Sequence, residues 1–316
     1  MKHIPTKAFI ADIALLGVTF VWGTTFQLVH DALADIGTFP FLAVRFLIAV
    51  LFLLPFHKGK WQWHPAAWRA GIYLFGGYAF QTLGLLWTTP AKAGFITGLS
   101  VVLVPLLVAL KTKRLPDRGT ATGAVLAAAG LGLLTLEGSL VPGRGDLLVL
   151  CCAICLALQI LAVEEASRHM DPHSLTVIQL GVICLLSFGL WGGFGGSFHL
   201  TPRVLWALLI TSIPATSLAF LIQGWAQRFT TPARVALVFS MEPVFAALYS
   251  YCFGGEVFTP QKLIGSALVF VGIIVGSIFP GSPLSAESGT AAPPERGAAL
   301  HEADPAGAGR ITKPRT

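Results

Sequence analysis

Charge is what this chain has least of. Asp, Glu, Lys and Arg together make up 11% of its 316 residues, against 54% hydrophobic ones, where a soluble domain carries about 25% charged residues. The mean hydropathy is +0.74. So little polar surface cannot face water all round, which excludes an ordinary soluble domain and makes lipid the expected solvent. The alternation of a barrel strand is also missing, so the apolar stretches read as helices, the remaining way to satisfy a backbone inside a bilayer.

Other absences narrow the function. There is no His-Glu-x-x-His, no phosphate loop and no arguable Ser-His-Asp arrangement, so no enzyme, cofactor or bound metal is expected. Gly143-Arg144-Gly145-Asp146 has the Gly-x-Gly-Asp pattern of intramembrane aspartyl proteases, but no second mid-span aspartate exists to face Asp146. The net charge of +6 comes without an aromatic-and-basic face for stacking bases, so nucleic acid is not an expected partner. Cys151, Cys152, Cys155 and Cys184 lie within apolar runs and Cys252 near the end of one, with no His or carboxylate at ligand spacing; they read as small packed residues.

What is present is long apolar runs. They lie near 9–29, 38–56, 66–87, 93–110, 120–138, 146–165, 173–194, 203–226, 233–253 and 261–279. Each is long enough to cross a hydrocarbon core of ~30 Å as a helix. The first reads as a span rather than a cleavable leader. The chain also repeats itself. Thr88-Thr89-Pro90-Ala91-Lys92 returns as Thr230-Thr231-Pro232-Ala233-Arg234, and at the same spacing Gln81 falls on Gln223, Gly123 on Gly265 and Gly130 on Gly272. Earlier in each half, at a slightly different spacing, Asp12 falls on Asp146, Trp22 on Leu156 and Arg45 on Gln179. The chain is therefore read as a duplication: an N-terminus 1–8, a first unit 9–138, an outer linker 139–145, a second unit 146–279 and an Ala/Gly/Pro/Ser-rich tail 280–316 expected to be disordered.

Basic residues crowd one side of this plan. Lys2, Lys7, Lys58, Lys60, Arg69, Lys111, Lys113, Arg114, Arg118, Arg168, Arg228 and Arg234 share it; Lys92, Arg144, Arg203 and Lys262 take the other. The positive-inside rule then puts both termini in the cytoplasm and the protein in the cell's cytoplasmic membrane. Five spans per unit is an odd number, so the second unit enters upside down. Such inverted repeats commonly serve alternating access.

With Trp22-Gly23, Arg45-Phe46 and Ala91-Lys92-Ala93-Gly94-Phe95-Ile96 in the first half, and Glu242-Pro243, Gly255-Glu256 and Gln261-Lys262-Leu263-Ile264-Gly265-Ser266-Ala267-Leu268 in the second, the chain resembles the EamA-type branch of the drug/metabolite transporter superfamily over all but the tail. Thr24 and Thr25 stand where many relatives have Asn after the Trp-Gly. The resemblance implies an all-α integral membrane protein of ten transmembrane helices, built as two inverted five-helix repeats around a central cavity walled by spans 1, 3, 4, 6, 8 and 9. It also implies secondary transport of a small metabolite, commonly export.

Polar groups inside spans are few and costly, which marks them as candidates. Glu242, followed by a helix-bending Pro243, could bind a cationic group or cycle a proton, or simply be a buried neutral carboxyl. Gln81, Gln159 and Gln223 could bond a substrate or neighbouring helices. Ser100 matches Glu242 and Thr97 matches Phe239, which predicts an asymmetric site. Trp22, Thr25, Tyr78, Phe95 and Met241 complete the expected lining. Arg45, at a cost of at least ~2.5 kcal/mol if unpaired, reads as a structural charge with Glu242 or Glu137 as its partner. Pro105 and Pro214 are hinges or static kinks. The expected partners are thus a small-molecule substrate, the bilayer and candidate coupling protons, the chain acting as monomer or homodimer.

Overall fold

The computed structural model describes residues 6–135, 143–253 and 259–278. Glu137, Gly255 and Glu256, most of the expected linker and the tail lie outside these residues. The helices are α1 (Thr6–Gly23), α2 (Thr25–Ala32), α3 (Thr38–Leu53), α4 (Pro65–Gly84), α5 (Pro90–Gly98), α6 (Ser100–Thr112), α7 (Arg118–Thr135), α8 (Arg144–Ser167), α9 (Pro172–Phe194), α10 (Pro202–Ser212), α11 (Ala219–Ala226), α12 (Pro232–Phe239), α13 (Glu242–Phe253) and α14 (Pro260–Ile278). A single 3₁₀ turn, Leu54–Phe56, follows α3, and a π-helical segment, Ile213–Leu218, joins α10 to α11. The described residues contain no strand, only an antiparallel bridge between Ile36 and Phe198.

Four pairs run on as broken rods: α1 with α2, α5 with α6, α10 with α11, and α12 with α13. Seven rods are long and apolar enough to cross a membrane: Lys7–Ala32, Thr38–Phe56, Lys92–Thr112, Arg144–Ser167, Pro172–Phe194, Pro202–Ala226 and Pro232–Tyr249; Pro260–Gly276 is a shorter apolar helix. This is an all-α, multi-pass membrane protein.

The repeated Thr-Thr-Pro-Ala stretch has a local physical role. Thr89 and Thr231 each accept a hydrogen bond from a backbone N–H three residues on, and Pro90 and Pro232 open the helix behind them. Thr201-Pro202 and Asp171-Pro172 use the same device. A side-chain oxygen before a first-turn proline satisfies one orphan donor and needs none from the proline. Charged contacts tie the basic end of the bundle together: Arg69 Nη2 lies 2.6 Å and Lys111 Nζ 3.9 Å from the Glu165 carboxylate, and Arg168 pairs with Glu164.

The two halves meet through glycine. α7 runs antiparallel along α14, with Gly123 against the carbonyl of Gly272 and Gly130 against that of Gly265. The first of each unit's repeated glycines thus faces the second of the other's, the reciprocal contact expected of a two-fold axis within one chain. A methyl at Gly130 would lie 2.6 Å from the Gly265 oxygen and 2.8 Å from the Val269 nitrogen, whereas at Gly276 it would meet only the tip of the Leu237 side chain. Backbone cannot yield as a side chain can. Gly130→Ala is therefore expected to destabilise the protein by about 1–3 kcal/mol and Gly276→Ala by clearly less, read as thermal unfolding in detergent; equal losses would show that backbone contact is not what sets this interface.

Candidate functional site

Two of the broken rods break at repeat-related places. α5 gives way to α6 at Leu99, just before Ser100, and α12 gives way to α13 at Ser240 and Met241, just before Glu242. Pro243 has no N–H to bond backwards, so the second break follows directly from the sequence. Glu242 stands in the first turn of α13, where the positive end of the half-helix favours a carboxylate. Thr24 and Thr25 return their hydroxyls to the carbonyls of Val21 and Trp22, at 2.7 and 2.8 Å, where α1 passes into α2.

Between these rods lies a cavity of about 900 Å³, its mouth included. Trp22, Thr25 and Val29 line it from the first rod, Leu74, Gly77, Tyr78, Gln81, Thr82 and Leu85 from α4, and Thr97, Gly98 and Ser100 from the α5–α6 rod. Leu156, Gln159 and Ile160 of α8, Phe220 of α11, and Phe239 and Glu242 of the α12–α13 rod face them. Arg45 enters from α3. Both members of several repeat-related pairs are present: Trp22 with Leu156, Thr25 with Gln159, Tyr78 with Phe220, Thr97 with Phe239, and Ser100 with Glu242. The cavity is centred where the two units meet.

Away from that centre it extends one way only. Val29, Gln81, Thr82 and Leu85 line it, but the residues at the matching places of the second unit, Val163, Gln223, Gly224 and Gln227, do not. There the bundle is shut. Ala11, Leu15, Val104, Ile160, Ala226, Val235, Ala236 and Val238 form a continuous apolar plug. Among the described residues, the corresponding cluster at the other end holds Leu85, Ala93 and Val149, with Ile96 packed against them. The plug is sealed by polar contacts. Gln223 donates to Gln159 at 3.2 Å and to Gln227 at 2.9 Å, Gln159 donates to Gln179 at 3.2 Å, and Gln227 donates to the Ile160 carbonyl at 2.9 Å. Beyond them Arg234 Nη2 lies 2.6 Å from Asp12 Oδ2, both side chains 14% exposed. The repeat-related site at the open end joins the Thr88 hydroxyl to the Asp146 carboxylate, which also accepts the Gly143 N–H at 2.9 Å, with the Lys92 charge acting on it.

The π-helical segment shapes the cavity wall. It contains Pro214, and Trp22 Nε1 donates to the Ala215 carbonyl at 2.7 Å. Thr216 on the same segment accepts from Arg45 Nε at 3.0 Å, while Arg45 Nη2 donates to the Tyr78 hydroxyl at 3.3 Å and the guanidinium lies 4.7 Å from the centre of the Tyr78 ring. Ser217 donates to the Ala49 carbonyl of α3 at 3.1 Å.

Of the residues expected at a site, Trp22, Thr25, Tyr78, Gln81, Ser100, Gln159, Glu242 and Arg45 line the cavity; Gln81 donates to the Thr97 hydroxyl at 3.3 Å. Gln223 sits in the closed network instead, and Met241 and Phe95 pack in an apolar cluster with Val101, Leu131 and Val269. Of the two partners offered for Arg45, Glu137 lies outside the described residues and Glu242 does not pair with it: the guanidinium finds neutral hydroxyls, and no carboxylate of the described residues lies within ion-pair distance of it. Reading the sequence alone misses Thr216, Phe220 and Phe239 as site residues, although the latter two match Tyr78 and Thr97 and are legible from the repeat. The described residues hold no group of three or more His, Cys, Asp or Glu side chains able to bind a metal, and the five cysteines are free.

A helical bundle of two related halves around a central cavity lined by apolar and polar side chains is an architecture suited to a membrane transporter, and comparison with known proteins agrees. The model of the EamA-like transporter family matches residues 9–136 and again 143–278. The chain is 37% identical over 272 residues to a protein named Uncharacterized transporter from Archaeoglobus fulgidus, covering 86% of this chain and 87% of that one. It is 27% identical over 301 residues to Uncharacterized transporter YwfM from Bacillus subtilis, covering 89% and 98%. One solved crystal structure superimposes with a TM-score of 0.73 at 20% identity, over 85% of this chain and 96% of its own, a likeness of fold. The chain belongs to the EamA-like transporter family, within the drug/metabolite transporter superfamily.

The Trp22 indole is a hydrogen-bond donor as well as a wall. Trp22→Phe removes the hydrogen bond to the Ala215 carbonyl and is expected to lower stability by about 1–3 kcal/mol, more than Phe239→Leu, which removes no side-chain hydrogen bond. Thermal unfolding of the two variants, compared in one detergent, checks the order.

Proposed function

We propose that the protein is a secondary carrier that exports a small amphipathic metabolite, an amino acid or a related organic compound, across the cytoplasmic membrane by alternating access. The observation that carries this reading is the cavity itself. It is lined by residues of both repeats, repeat-related pairs among them, and extends towards one end only. Two inverted units that pack alike at the centre and unlike at the ends form one member of a pair of states; exchanging the roles of the units gives the other, open to the opposite side.

Side is assigned by charge. Lys7, Lys58, Lys60, Arg69, Lys111, Lys113, Arg114, Arg118, Arg168 and Arg228 mark the closed end as cytoplasmic, with both termini there, so this state opens outwards. The closed end is poised to open. Among the described residues, Arg234 Nε and Gln179 Nε2 are buried there without a hydrogen-bond partner, each at a cost of about 1–3 kcal/mol that water entering an opened end would remove. One chain supplies both repeats, so a monomer suffices.

Glu242 is the group that couples transport to protons in this reading, because it is the carboxyl facing the cavity and makes no ion pair among the described residues. The neutral donors Gln81, Thr25, Ser100 and Gln159 favour a second reading, an exchanger or uniporter without proton coupling. Proteoliposomes offered labelled amino acids, nucleosides and quaternary amines, with and without a pH gradient, separate the two. A coupled carrier accumulates one class only with the gradient, and Glu242→Gln abolishes that accumulation; saturable exchange indifferent to pH leaves the uncoupled carrier. No saturable flux of any class would defeat both.

The Asp12–Arg234 contact supplies an independent test. In a background with the native cysteines replaced, Leu15→Cys, fully buried in the plug, is expected to react slowly with a maleimide, and Arg234→Gln to speed that reaction several-fold. A rate unchanged by Arg234→Gln would show that the pair does not hold the end closed.

A further inference from the structure

We infer that Arg45 recognises an anionic end of the transported molecule, so that the cargo carries a carboxylate. The inference rests on the carrier reading for the word cargo, but on Arg45 itself for the chemistry.

Arg45 is 4% exposed, and its helix lies outside the central rods, yet its guanidinium reaches the cavity. An arginine has five N–H donors and no acceptor. Here Nε is taken by Thr216 and one bond from Nη2 by Tyr78, both neutral hydroxyls. The remaining donors have no carboxylate of the described residues to meet. A buried charge ordinarily has a counter-charge. This one has aromatic faces, 4.7 Å to Tyr78 and 5.5 Å to Phe46, and an open cavity.

The other repeat shows what packing alone requires. The matching place is occupied by Gln179, a neutral amide bonded to Gln159, and Gln179 does not line the cavity. An uncharged side chain suffices at that place, where it bonds α8 rather than the counterparts of the segments that Arg45 holds. The charge is therefore placed where the cavity is. The two hydroxyls hold the planar guanidinium in a fixed orientation, which suits it to a carboxylate as an ammonium would not. Glu242 faces the same cavity from α13 and is not its ion-pair partner. A cavity with a guanidinium on one wall, a carboxyl on another and Trp22, Phe220 and Phe239 between them fits a molecule whose anionic group is met by Arg45 and whose body is apolar.

Thermal shift of the purified full chain tests this while the cargo is still unidentified. The probes are phenylalanine, phenylalanine amide, phenethylamine, hexanoate, hexanamide and inorganic phosphate, titrated against the wild type, Arg45→Gln and Arg45→Lys. The expected result is stabilisation by phenylalanine or hexanoate, with the matched amide and phenethylamine about tenfold weaker or worse, and loss of that preference in Arg45→Gln. Arg45→Lys retains part of it. Stabilisation by phosphate alone, by amides as well as acids, or by no carboxylate at all overturns the inference. Should Arg45→Gln fail to fold, the acid-to-amide ratio in the wild type still decides. Vesicle flux keeps the two readings apart: transport without carboxylate preference sinks the role of Arg45 and leaves the carrier, while carboxylate binding without flux does the reverse.

Discussion

Hydrocarbon offers a polar group no hydrogen bond, and that single constraint orders this molecule. A polar side chain inside the bundle is costly unless it finds a partner or faces a cavity that water or a ligand can enter. The closed end follows the first course: Gln159, Gln179, Gln223 and Gln227 bond mainly to one another, and Asp12 takes Arg234. The open end follows the second, with Arg45, Gln81, Ser100 and Glu242 turned to the cavity. The two ends hold related residues at related places. What differs between them is which set is satisfied by protein and which by whatever fills the space.

The same constraint explains where glycine is spent. Lipid gives helices no hydrophobic reason to associate, so close packing must supply the attraction. α7 and α14 meet backbone to backbone at Gly123, Gly130, Gly265 and Gly272, and α4 meets α8 at Gly84 and Gly145. The second of these contacts lies at the open end. Its counterpart in the other unit is built from Ala226 and Ala11, inside the apolar plug. A rigid glycine seam between α7 and α14, with less symmetric contacts around the cavity, suits units that rock against each other without separating.

Much of this was written in the sequence. The duplicated Thr-Thr-Pro-Ala stretch is a pair of helix caps, the glycine repeat is the seam, and Glu242-Pro243 announces the break between α12 and α13, because caps, glycine contacts and prolines act through local geometry. The partner of Arg45 was not legible. It depends on the π-helical segment, which turns Thr216 and the Ala215 carbonyl towards the cavity, and a single proline such as Pro214 does not say whether its helix will bend, kink or bulge. Gln223 was equally ambiguous. Its match to Gln81 is real, but one lines the cavity and the other is sealed in a network, because the repeat gives equivalence of place and not equivalence of state.

That last distinction bears on mechanism. If the two units were identical, neither end would be preferred, and the open side would be decided by chance. Here they differ at the residues that matter: Arg45 against Gln179, Leu85 against Gln227, Gly84 against Ala226, Lys92 against Arg234. Arg234 reaches Asp12 as a guanidinium able to make more than one bond, where the matching contact at the other end relies on a threonine hydroxyl and the Lys92 ammonium. A forked, weakly hydrated cation holds a carboxylate in a part-buried site more firmly than a compact, strongly hydrated one. In the proposed cycle, a preference for the state closed at the Asp12–Arg234 end is therefore built from a handful of substitutions between two copies of one unit. A bias made of so few contacts is small enough for a bound ligand to reverse, since a ligand shifts such an equilibrium only by the difference in its affinity for the two states.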